Sequence, residues 1–244
     1  MITIRRADSL GLAHSDTLTL RCHFAFADYQ EPQDDEHEGR LTAINLGTIP
    51  SQGCYQLGPE ANVDIITWLR SGSLRTHVED FPAESIHSGG LHLLSTGAGV
   101  HAMAWQAGAD GASFIQFWLL ADTEGGEPTQ EAREAFPKLE DGGFRIVASG
   151  FPEDDPEEME VIDDGAPVTL RALSRVLHAD IPAGEGAAYQ TMPGRDLYVL
   201  VVRGGITICD MPLSEGDGAM LTQTERVVVM ATQDAVVILT DIAS

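Results

Sequence analysis

Eight histidines, three cysteines and a surplus of carboxylates are the side chains of this sequence that could do metal, nucleophilic or acid–base chemistry. Their spacing supports little of it. Cys22, Cys54 and Cys209 are odd in number and far apart, with no Cys-x-x-Cys pair, so neither a zinc knuckle nor a disulfide framework is indicated. A reducing compartment suits them. No Lys or Arg lies within eight residues of Cys54 in sequence to lower a thiol pKa, so buried inert thiols are expected. Ser95-Thr96-Gly97 reads as a tight turn without a base placed beside it. "GAGVH" lacks the GxGxxG frame and following helix of a phosphate loop. His14, His37 and His178 read as surface or edge residues, and His23 as a structural hydrogen-bonder. His92, His101 and Glu60 would form a site only if the fold made them converge.

The elements that must position these groups are short β-type runs. Four fall in the first half (40–49, 63–72, 90–99, 112–121), and more follow at 144–150, 175–181, 197–209, 218–222, 226–232 and 235–242. Each is rich in Val, Ile, Leu and aromatics and is bounded by Gly, Pro, Ser or Asp, the pattern of a sandwich or barrel. The two sets share a strand, a Gly turn and a returning strand, which reads as an internal duplication. Between them "TQEAREAF" (129–136) holds good helix formers after a Thr, so a short helical linker is expected over 126–143, between barrels at 1–125 and 144–244. "MITIRRA" is a plausible edge strand. The segment 151–165 is strongly acidic and reads as a solvated loop.

Charge excludes some partners. Asp and Glu outnumber Lys and Arg 38 to 14, a formal charge of −24. Such a field repels nucleic acid and anionic membranes, and no basic stripe is present to displace counterions. No apolar signal core opens the sequence and no run approaches a membrane span. The expectation is a cytoplasmic monomer whose partner is a small molecule or a protein.

"HFAFADYQEP" (23–32) is similar to the "HTFSFADYYDP" segment of the pirin family, whose members are bicupins, two jelly-roll barrels on one chain. "FIQFWLLAD" (114–122) and "LYVLVVRGG…EGDGAML" (197–221) resemble further family segments, so the likeness covers nearly the whole chain. The resemblance implies an all-β bicupin. It also implies a metal in the first barrel, usually iron, held by two His of "HPHRGFETVTYVLEG" and the His and Glu of "PGDVQWMTAGRGIVHSE". Some members act as quercetin 2,3-dioxygenases.

Here the carry-over fails at the ligands. Residues 58–72 overlay the first motif without gaps. Pro59, Thr67 and Gly72 match and Asp64 replaces a Glu, but the ligand positions carry Gly58 and Glu60. Residues 88–104 overlay the second, and its ligand positions carry Ala102 and Ala104, with His101 one residue early. A one-residue offset in a strand puts a side chain on the opposite face, so His101 is expected to point away from the interior unless a bulge intervenes. No metal is therefore expected, with iron, nickel or manganese entering only if the site is rebuilt. Glu60, Asp64, Trp68 and His101 are the candidate pocket. Three functions stand: a metal-free small-molecule or protein-binding bicupin, a quercetinase-like dioxygenase, and a cysteine-based redox responder. In the opening stretch, alternation puts Phe24 and Phe26 on one buried face.

Overall fold

Alternating apolar runs punctuated by Gly and Pro form twenty strands in the computed structural model, which describes residues 1–24, 26, 39–136, 143–154 and 167–243. In chain order, β1 is Ile2–Arg5, β2 Gly11–His14, β3 Thr19–Cys22, β4 Leu41–Ile49 and β5 Cys54–Leu57. Then come β6 Val63–Val78, β7 Ser85–His87, β8 Leu91–Ser95, β9 Met103–Leu120 and β10 Thr129–Arg133. The second half holds β11 Arg145–Ser149, β12 Val168–Thr169, β13 Ser174–Ile181, β14 Gly186–Gln190 and β15 Arg195–Arg203. It closes with β16 Gly205–Ile208, β17 Met211–Ser214, β18 Gly218–Leu221, β19 Arg226–Ala231 and β20 Ala235–Ala243. Among the described residues the helices are single 3₁₀ turns, and none is long and apolar enough to cross a membrane.

The chain divides into two compact units, each a β-barrel. The N-terminal barrel comprises Gly11–Phe136 with Leu170–Ala172. Its strands run in the order β10-β8-β6-β9-β4-β3-β2, with β5 against β9 and β7 against β6. The long strands β6 and β9 turn a corner together. Register shifts between Leu69 and Ser71 and between Gly72 and Leu74 mark the bend. Gly72 sits there at φ +81°, and a Cβ on it would lie 2.1 Å from the Gly111 carbonyl, so only glycine lets the two backbones approach this closely. Beyond the corner the same strands continue beside β5 and β7, closing the barrel over one core. The C-terminal barrel is a seven-stranded sheet, β1-β18-β15-β20-β13-β11-β12, and a four-stranded sheet, β14-β19-β16-β17. A second apolar core unites strands of both.

Two sequence expectations need correction. The stretch expected to be helical, within "TQEAREAF", is instead strand β10, which pairs with β8 from Thr129↔Ser95 to Arg133↔Leu91. Helix propensity is worth tenths of a kcal/mol per residue, and the open edge of β8 offers a full ladder instead. The N-terminal segment also belongs elsewhere than in the range 1–125. β1 is indeed an edge strand, but it pairs with β18, so Met1–Leu10 counts with the C-terminal barrel. Arg6 reinforces this through an ion pair to Asp217 at 2.8 Å, and the Ala7 N–H donates to the same carboxylate at 2.8 Å. Asp28 and Tyr29 of the opening stretch, His37, and most of the acidic segment 151–165 lie outside the described residues.

Candidate functional site

Cross-strand register assembles the interior of the N-terminal barrel row by row, because directly paired residues share a face. One row is Ala43, Trp118, Ile65 and Leu94; another is Leu20, Gly47, Phe114 and Leu69. Between them lies a polar row of Cys22, Asn45, Gln116, Thr67 and His92, all five buried. Gln116 Nε2 donates to Thr67 Oγ1 at 3.1 Å, and His92 Nε2 meets Gln130 Oε1 at 3.3 Å. Both amide atoms of Asn45, Oε1 of Gln116 and Nδ1 of His92 have no partner. Burial holds His92 neutral, with its pKa pushed down to about 4. Burial likewise pushes the Cys22 thiol up to about 11, so it is inert. Cys54 is half-exposed and Cys209 exposed.

An open cavity of about 550 Å³ lies between the β2–β3 hairpin and β5, and no residue of the polar row lines it. Its wall is mainly apolar, with Ala13, Leu20, Phe26, Tyr55 and Leu57, and Cys54 and His14 add polar atoms. Phe26 meets Trp118 edge-on at 5.0 Å, and Tyr55 stacks on Trp105 at 5.5 Å and on Phe114 at 6.2 Å. The aromatic opening stretch therefore serves the barrel. Phe24 is buried, and Phe26 covers Trp118 at the cavity wall. The volume falls within the usual range of small-molecule pockets.

None of the four residues expected to form a pocket lines this cavity. Val63, Ile65 and Leu69 face the core, so Asp64 and Trp68 point the other way. Asp64 is an anchor. Its carboxylate accepts from Ser95 Oγ at 2.6 Å, the Arg171 N–H at 2.6 Å and the Ala172 N–H at 2.9 Å. Burial pushes its carboxyl above the usual range, against the lowering pull of those bonds. Glu60 does face inward. It exchanges two backbone hydrogen bonds with Val100, at 2.9 and 2.8 Å, and Val100 belongs to the core. Asn62, in the left-handed region at φ +57°, resets the alternation between Glu60 and Val63. Burial also raises the Glu60 carboxyl.

At the other motif, Val100 and Met103 both reach the core, so the chain between them must bend. His101 and Ala102 are exposed in that bend, and the His101 N–H donates to Glu79 Oε1 at 2.8 Å. Ala104 pairs with Gln56 and His77 on the outer face, while Met103 and Trp105 face inward. Gly58 has no room for a side chain. At φ +133° its Cβ would fall 2.2 Å from the His101 carbonyl oxygen. The four matched positions thus offer one side-chain donor, Glu60. Among the described residues no three His, Cys, Asp or Glu side chains are grouped to hold a metal ion. The residues present do not fit the metal that the family resemblance implied.

The polar row escaped the reading of the sequence. Its signal was there: a Gln inside "FIQFWLL" and an Asn inside "AINLG", each at the centre of an otherwise apolar run.

Comparison with known proteins places this geometry. Residues 162–242 match the family described as the quercetinase C-terminal cupin domain. A protein of Zymomonas mobilis, provisionally named a quercetin 2,3-dioxygenase, is 30% identical over 98% of this chain and 97% of its own. One from Pseudomonas aeruginosa with the same provisional name is 29% identical over the full length of both. The crystal structure of the bacterial pirin YhhW of Escherichia coli in complex with nickel(II) superposes with a TM-score of 0.85, at 21% identity over 100% of this chain and 99% of that one.

Proposed function

This chain belongs to the pirin family of bicupins, and we propose that its N-terminal barrel binds a small organic molecule without the metal on which the family's oxygenase chemistry depends. The observation that carries this is Gly58. The place of a ligand histidine is occupied by a residue with no side chain, packed where even a Cβ would strike the neighbouring backbone. The cavity of about 550 Å³ supplies the binding volume. Its aromatic wall would bury an organic ring, and Cys54 and His14 would orient polar substituents. A charge of −24 disfavours nucleic acid as the partner. We place the protein in the cytoplasm as a monomer.

The test is metal content by mass spectrometry on untagged protein purified without chelator, paired with native mass spectrometry for retained organic ligands. The expected result is no stoichiometric metal and a retained or titratable organic molecule. Near-stoichiometric iron, nickel or manganese, together with flavonol turnover, overturns the proposal and supports a second reading, a quercetin 2,3-dioxygenase. That reading draws on the names of the relatives and on the inward-facing Glu60 carboxyl. The redox reading rests on Cys54, and peroxide treatment that leaves Cys22, Cys54 and Cys209 unmodified removes it.

A further inference from the structure

A second site lies on the outer face of the N-terminal barrel, away from the cavity just discussed. Past the corner, β6 pairs with β7 and with the first half of β9, setting Ser73 opposite His87 and Arg75 between Ser85 and Gln106. Leu74, Ile86 and Ala107 take the core face, so by alternation the polar set faces solvent. With Gln52 these residues line a groove of about 290 Å³ that contains no carboxylate. Gly108 belongs to its wall, and a Cβ there would lie 2.3 Å from Ser73 Oγ, so glycine keeps that hydroxyl clear.

Charge makes the groove unusual. Arg6, Arg40, Arg133, Arg175, Arg195 and Arg203 each pair with a carboxylate. The Arg75 guanidinium, like that of Arg226 in the other barrel, has no hydrogen-bond or ion-pair partner among the described residues, although the chain carries 38 acids. A guanidinium presents its donors as a planar fork that matches two oxygens of an oxyanion. Around it stand two hydroxyls, two carboxamides and an imidazole, all able to donate. We propose that this groove binds a small tetrahedral oxyanion, a phosphate group either free or carried on a small ester. The acids nearest in sequence, Glu84 and Asp110, are absent from the lining. The net negative field opposes any anion, but salt screens it beyond about 8 Å at physiological ionic strength, so the local donors decide.

The test is calorimetric titration of the intact protein in 0.1 M inert salt, with inorganic phosphate in one arm and glycerol 3-phosphate in the other. Arg75→Gln is compared with Arg226→Gln, which removes an equal charge from the C-terminal barrel. Saturable binding in either arm, weakened at least tenfold by Arg75→Gln and unchanged by Arg226→Gln, is the expected result. The arm that binds tighter identifies the source of the phosphate. Absence of saturable binding in both arms, or equal weakening by both substitutions, overturns the proposal. A chain that binds metal and turns over flavonol would leave this prediction standing, because the groove shares no residue with that chemistry.

Discussion

The two barrels share a fold and differ in what fills them. The C-terminal core is built from apolar side chains such as Leu177, Val199, Ile206, Val229 and Leu239. Among the described residues its buried polar atoms without a hydrogen-bond partner, Arg145 Nε, Ser174 Oγ and Thr240 Oγ1, lie on the opposite face of the sheet. The N-terminal core carries a polar row through its centre, and the same barrel has an open cavity between the β2–β3 hairpin and β5. A core selected only to hold the chain together has no use for such atoms, since each buried unmet donor or acceptor costs roughly 1–3 kcal/mol. Departures of this kind concentrate at functional sites. On this comparison the C-terminal core is built for packing, and the N-terminal core departs from that rule at its polar row.

Among the described residues each barrel also buries one aspartate completely, and the two are held in different ways. Asp64 is satisfied by Ser95 and two backbone N–H groups. Asp241 accepts from Tyr189 and Thr191 and neighbours Arg175 and Arg195. Both arginines keep other partners, Asp154 and Glu153. Asp64→Ala strands donors that have no second acceptor, so a loss of more than about 3 kcal/mol is expected, from three bonds at roughly 1–1.5 kcal/mol each plus the unmet Ala172 N–H. Asp241→Ala is expected to cost less. The readout is urea unfolding followed by tryptophan fluorescence, which reports the N-terminal barrel alone because all three tryptophans, Trp68, Trp105 and Trp118, lie within it. Far-UV circular dichroism reports both barrels. Equal losses, or a larger one at Asp241, would undo the distinction.

How much of this was legible beforehand follows from range. Most strands and their tandem two-set arrangement rest on local patterns and read correctly, β10 excepted, while the bicupin assignment came from the family resemblance. Pairing of β1 with β18 joins residues more than 200 positions apart, as in the Met1 amine donating to the Thr222 carbonyl. No local pattern encodes such a contact. The inner face near Glu60 and His101 was misread in part because alternation is interrupted twice, by the left-handed Asn62 and by the bend between Val100 and Met103. Counting by twos across such points places Asp64 and Trp68 in the interior, where they are not. Gly58 was legible as a missing ligand, but its contact with the His101 carbonyl needed the fold.

His92 extends the comparison to pH. It is a fully buried histidine of the N-terminal core, and its pKa is near 4 against an ordinary 6.5. The unfolded chain therefore takes up a proton before the folded chain does. The stability contributed by neutral His92 is complete above pH 6.5 and is lost as pH falls toward 4, by roughly 3 kcal/mol at most. His92→Gln cannot titrate, so the gap between wild type and variant should change by that amount across this window. Carboxylates titrate there too, but equally in both proteins. A gap independent of pH would mean that His92 is reached by water.

Asn45→Leu is the most discriminating change, although its effect on stability is the smallest. Both amide atoms of Asn45 lack partners, and the residue sits between Cys22 and Gln116 in the row next to Trp118. Leucine has the same branched heavy-atom skeleton, with bulkier methyl groups, and no polar atom to satisfy. If the row were only an imperfection of packing, the substitution would remove a cost, and stability should rise by about 1–2 kcal/mol. The gain should appear in the tryptophan-detected transition and in the N-terminal barrel's share of the circular-dichroism change. If a bound molecule extends from the cavity to the row, the same change in protein carrying it should cancel the gain, because the molecule loses the carboxamide that would pair with it. Stabilisation together with weakened ligand retention would establish that the N-terminal barrel gives up stability to keep a site. Stabilisation with ligand retention unchanged would move the site outward, to the cavity wall at Phe26 and Tyr55, and leave the polar row as a cost the fold carries without return.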